Sequence, residues 1–144
     1  ALGSRWYGLI KSRDGGKNWE VVSDDPFGQE LGQGVDFTFL DENFGFATLM
    51  HNGGDTARIY VTEDGGRHYE PVEIEHKTET DSSGAIWAPY DYPRMPYEKD
   101  GKIYVLCGQG ADGDYNGGDA KETARYRSED HGHTFVFDGM EPTR

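Results

Sequence analysis

The chain has 144 residues, 27 of them acidic and 14 basic, for a formal net charge of −13. That acidity argues against nucleic acid or an anionic membrane surface as partner, since both attract cations, and no apolar run approaches the roughly 20 residues of a membrane span. Twenty-one glycines and six prolines exclude long helices, while three Trp, nine Tyr and seven Phe supply rings to bury, so an all-β, turn-rich protein is expected.

In chain order, strand-like runs at 6–12 and 18–23 flank the octet Ser12-Arg13-Asp14-Gly15-Gly16-Lys17-Asn18-Trp19. Alternation of Phe37 and Phe39 with polar neighbours predicts a strand over 35–40, returned by another at 45–50. The loop Asn52-Gly53-Gly54-Asp55 leads into a strand at 57–62, then a second octet, Thr62-Glu63-Asp64-Gly65-Gly66-Arg67-His68-Tyr69, and a strand over 68–74. A further unit is predicted at 85–90, 102–108, 123–128 and 133–138, its first hairpin enlarged by residues 90–99. Its second loop, Asn116-Gly117-Gly118-Asp119, repeats the earlier one, and its last turn is a third octet, Ser128-Glu129-Asp130-His131-Gly132-His133-Thr134-Phe135. The lone Cys107 rules out an internal disulfide framework and reads as a packed thiol in a buried strand.

All three octets satisfy hydroxyl, x, Asp, x, Gly, x, x, aromatic, with the Asp residues 50 and 66 positions apart. In such a segment the carboxylate accepts backbone N–H groups, the glycine supplies positive φ, and the aromatic opens the return strand and buries its ring. Ser12, Asp14, Gly16 and Trp19, then Thr62, Asp64, Gly66 and Tyr69, then Ser128, Asp130, Gly132 and Phe135 are therefore expected to be equivalent hairpin corners.

These segments resemble the Asp box, or BNR repeat, of sialidases, sortilin-type receptors and photosystem assembly factors, with Asn18 and His68 where the pattern has Thr. The resemblance implies a β-propeller of four-stranded antiparallel blades with the boxes at its rim. About two and a half blades fit one domain over 1–144: an outer half blade and connection at 1–33, then blades at 34–83 and 84–144. Closed propellers hold ~4–8 blades, so missing blades are expected from a parent chain or a second copy. The chain opens Ala1-Leu2-Gly3 without methionine, which reads as a mature or excised piece, and the expectation that goes with the resemblance is an extracellular or cell-surface protein.

Function is expected at the loops opposite the boxes, which carry the two Asn-Gly-Gly-Asp repeats and the acidic connections with Asp24, Asp25, Glu30, Glu75, Glu79 and Asp81. Asp112, Asp114 and Asn116 at positions 1, 3 and 5, with Gly117 at 6, resemble the start of a Ca²⁺ loop, with Asp119 a further acid nearby. Thr123 at position 12 departs from that pattern, and an ion-free Gly/Asp loop is the competing reading. Tyr92-Pro93-Arg94-Met95-Pro96 resembles the sialidase F/Y-R-I-P motif, which would make Arg94 a carboxylate clamp and Asp119 the general acid/base. Trp87, Tyr90, Tyr92, Tyr97 and Tyr115 are candidate rings for stacking on a sugar, while His131 and His133 read as exposed turn residues rather than a metal pair. The leading expectation is a non-catalytic segment binding a glycan or protein partner. The alternative is a portion of a sialidase-type glycoside hydrolase.

Overall fold

The computed structural model describes residues 7–27, 32–51, 57–110 and 122–142. The fold is all-β, with no helix among the described residues, and its sheet curls like half of a barrel. Strands β1 (Leu9–Lys11) and β2 (Glu20–Ser23) form an antiparallel hairpin around the first octet. Strands β3 (Gly32–Phe39), β4 (Gly45–His51), β5 (Ala57–Thr62) and β6 (Glu70–Pro71) follow as a four-stranded antiparallel meander, with the second octet between β5 and β6. Then come β7 (Glu73–Glu75), β8 (Glu79–Thr80), β9 (Ile86–Trp87), β10 (Tyr92–Pro93), β11 (Tyr97–Lys99), β12 (Lys102–Gly108), β13 (Glu122–Ser128) and β14 (Thr134–Pro142). The last sheet runs β10-β12-β13-β14-β7, with β11 also on β12 and the third octet between β13 and β14.

Side-chain alternation places the β3–β6 sheet between two apolar layers. From β4 and β5, Phe46, Ile59 and Val61 face Ile103, Val105, Cys107, Ala124, Tyr126 and Phe135 of the last sheet. Their neighbours Ala47, Leu49 and Tyr60 face the other way, with Tyr69, onto Phe27. Every second residue of a strand points to one face, so a strand buried on both sides reads as the continuous run Phe44–Leu49. Cys107 is a free, fully buried thiol whose pKa burial pushes up to about 12, with Asp91 adding to the shift.

Three expectations need correction. Residues 85–90 do not start the last sheet. Ile86–Trp87 instead pair with Glu79–Thr80 across a turn in which the Asp81 carboxylate accepts the N–H groups of Ser83 and Ala85 at 2.8 and 3.0 Å. The inner strand comes from β10 and β11, inside the stretch expected only to enlarge a hairpin, and it sits at a sheet edge where Pro93 can be accommodated. Nor is 68–74 one strand: Glu70–Pro71 pair with β5, and Glu73–Glu75 then leave to pair in parallel with Thr134–Val136. Finally, Trp19 is 60% exposed, because among the described residues no sheet covers its hairpin as the β3–β6 sheet covers Phe135.

Candidate functional site

The three octets fold into one hydrogen-bond circuit. In each, the hydroxyl oxygen of Ser12, Thr62 or Ser128 accepts the glycine N–H of Gly16, Gly66 or Gly132 at 2.7, 2.9 and 2.8 Å. The same hydroxyl donates to the carboxylate of Asp14, Asp64 or Asp130 at 2.9, 2.9 and 2.8 Å. That carboxylate then accepts the backbone N–H four residues on, from Asn18, His68 or Thr134, at 2.8, 3.0 and 2.8 Å. The glycine at the fifth position of each, Gly16, Gly66 and Gly132, has positive φ, 91°, 90° and 86°. Asp, Gly and a hydroxyl are needed at these positions because a short acceptor must reach forward, the chain must turn left-handed, and one oxygen must serve two bonds.

The circuit sets the charge state of its acids. Bonds from the Asn18 backbone and side chain hold the Asp14 carboxyl down to about 2. Desolvation pushes Asp64 and Asp130 upward, but the bonds from His68 and Thr62, and from Thr134 and Ser128, outweigh it and leave both below the usual value.

Neighbouring turns are tied side chain to side chain, which the sequence pattern does not announce. Glu63, beside Asp64 in the second turn, meets His131 Nδ1 at 2.6 Å and His133 Nε2 at 3.4 Å in the third. Its carboxyl lies below the ordinary value, chiefly through the His131 hydrogen bond. The His131 ring also stacks on Phe44 at 3.8 Å. The two histidines are thus turn residues with a carboxylate partner, and among the described residues no group of three His, Cys, Asp or Glu is placed to hold a metal.

At the opposite end of the sheets, β4 and β12 end at His51 and Gly108 and the chain returns at Ala57 and Glu122. The described strand ends that flank 52–56 and 111–121 thus lie away from the octets. Asp112, Asp114, Tyr115, Asn116 and Asp119 lie outside the described residues, as do Asn52–Asp55 and Glu30. Tyr92 pairs with Gly108 at that end, and the Arg94 N–H donates to the Leu106 carbonyl at 2.8 Å while its side chain is exposed. The expected aromatic cluster divides. Trp87 is exposed on the β8–β9 hairpin, Tyr97 stacks on Tyr104 at 5.7 Å, and Tyr90 is buried in the core, where its ring cannot meet a ligand. Asp24, Asp25, Glu75, Glu79 and Asp81 are exposed acids, Glu79 accepting Lys77 Nζ at 2.8 Å.

The described surface also has two grooves beside the first hairpin. One, of about 520 Å³, is lined by Leu9, Ile10, Trp19, Val22, Phe37 and Phe39, with Lys11, Asp41 and Glu42 at its margin. The other, of about 330 Å³, lies between Tyr7, Leu9 and Phe27 and the outer face of the β3–β6 sheet. Neither was expected from the sequence; the signal for the first was Ile10 and Val22, apolar on a hairpin that no further strand joins among the described residues. No family model, curated protein or solved structure matches the chain.

Proposed function

We propose that the chain is a non-catalytic segment of an Asp-box β-propeller that binds a glycan or a protein partner through the sheet ends opposite its octet turns. The observation that carries this reading is the same hydrogen-bond circuit in all three turns. Its polar groups are spent on the fold, which leaves recognition to the other end of the strands. There Tyr92 and the exposed Arg94 sit beside the strand end that leads into the acidic 112–119 loop. An aromatic face suits the C–H face of a sugar ring, carboxylates accept its hydroxyls, and a guanidinium binds a ligand carboxylate through paired N–H bonds. In this reading the protein is extracellular or at the cell surface, and Ca²⁺ organises the loop through Asp112, Asp114, Asn116 and Asp119.

A glycan array probed with the purified chain tests it. Binding to a defined set of glycans that falls at least tenfold in Tyr92→Ala and Arg94→Ala supports the proposal. A hydrolase reading is favoured by Arg94 alone, exposed in a sialidase-like motif. Turnover of a fluorogenic sialoside that Arg94→Ala abolishes would replace the binding reading with that one.

A further inference from the structure

We propose that the β1–β2 hairpin is the contact surface of a homodimer, in which two copies set their β1 edges side by side and complete one four-stranded sheet between them. The inference rests on the Asp-box reading of the preceding section, in which each octet turn belongs to a four-stranded blade. In both larger sheets the strand entering the octet has neighbours on either side: β5 lies between β4 and β6, and β13 between β12 and β14. β1 enters its octet in the same way but, among the described residues, pairs only with β2. An open strand edge is a template for another strand. Two such hairpins, edge to edge, supply the four strands that the β3–β6 sheet already has.

The side chains around this edge are the wrong ones for water. Ile10, Trp19, Val21 and Phe37 are 55%, 60%, 65% and 60% exposed, among the largest exposures of any bulky apolar residues described. Ile10 and Val21 are cross-strand partners, and Ile10, Trp19 and Phe37 line one groove, so the four form a continuous patch. At about 200 Å² per ring, the exposed parts of Trp19 and Phe37 alone come to roughly 500 Å² over two copies. Adding Ile10, Val21 and the strand edge brings the contact toward the ~1,000 Å² expected of a weak specific interface.

Charge selects the same region. A molecule of net charge −13 repels its own copy across most of its surface. The hairpin balances that charge locally, with Lys11, Arg13 and Lys17 against Asp14 and Glu20. In an antiparallel pairing centred on Ile10, Lys11 of one copy lies opposite Leu9 of the other, so no like charges face directly.

Sedimentation equilibrium of the 144-residue chain from 1 to 500 μM tests the proposal. The expected result is a reversible monomer–dimer equilibrium with a micromolar Kd that tightens as salt screens the repulsion. Ile10→Lys and, separately, Trp19→Ser should each weaken it at least tenfold while leaving the monomer's melting temperature within a few degrees. A monomer throughout the range overturns the proposal, and so does a dimer that neither substitution weakens. Since glycan recognition is placed at the opposite end of the strands, a monomer that keeps glycan binding removes the dimer alone. A dimer without glycan binding removes only the binding reading.

Discussion

In the first octet turn Ser12 and Asp14 hold Gly16 and Asn18, and in the third Ser128 and Asp130 hold Gly132 and Thr134, with matching bonds that differ by at most 0.1 Å. Their surroundings are opposite. Phe135 has no exposed surface, and a Cβ on Gly132 would come within 2.5 Å of the Phe46 ring. Trp19 stands 60% exposed, and a Cβ on Gly16 would meet only the Trp19 ring, at an ordinary 3.7 Å. The circuit is therefore a property of eight consecutive residues, whereas burial is conferred by the sheet next door. Local hydrogen bonding gives the turn its shape, and packing decides how much that shape contributes to stability.

Paired substitutions sharpen this contrast. Phe135→Ala should cost ~3–5 kcal/mol in urea unfolding, while Trp19→Ala, measured at concentrations where the chain is monomeric, should cost under ~1 kcal/mol. Similar losses at both sites would mean that the hairpin is covered after all. Gly132→Ala combines left-handed strain with a collision against Phe46 and should cost ~3 kcal/mol or more. At Gly16 the same change meets only the strain, of about 1–2 kcal/mol. Ser128→Ala leaves the buried Gly132 N–H without its acceptor, an expected loss of ~1–3 kcal/mol. Ser12→Ala exposes the equivalent N–H to water and should stay within ~0.5 kcal/mol.

The smallest effect is electrostatic. Glu63 is depressed below its ordinary value of 4.5 in the folded chain. The unfolded chain therefore binds more protons in that window, and the stability due to Glu63 is present above about pH 4.5 and lost as pH falls through the folded value. Exposure of roughly half of both Glu63 and His131 keeps this well below 1 kcal/mol. Thermal melts of the native chain and Glu63→Gln should differ slightly at pH 6 and coincide at pH 3. Curves that stay apart in acid would assign Glu63 a packing role instead.

Much of the architecture is legible in the sequence because it is local. Strands near 35–40, 45–50, 57–62 and 102–108 follow from alternation and turn residues, and the octets carry their own geometry. Failures occur where a distant segment decides. Pro89, Pro93 and Pro96 make 89–96 read as a loop, yet the free edge of β12 needs a strand and an edge position tolerates Pro93. Trp19 occupies the same place in its octet as Phe135, and what separates them is the β3–β6 sheet that covers Phe135. At the candidate recognition end, Tyr90 and Tyr92 are alike in sequence. The core takes Tyr90, and nothing in their spacing distinguishes the two.

The departure of β7 from its own sheet to run alongside β14 has a mechanical consequence. Two units that share a strand cannot be pulled apart by sliding face from face: Glu73 donates to the His133 carbonyl, and the Lys77 N–H is held by the Tyr126 hydroxyl just beyond. Force or denaturant must break those ladder bonds together with the apolar layer they enclose. The second and third units are thus one cooperative block, and the first unit joins it through a thinner tie, the Tyr69 N–H on the Pro26 carbonyl and the Phe27 ring against Tyr60 and Tyr69.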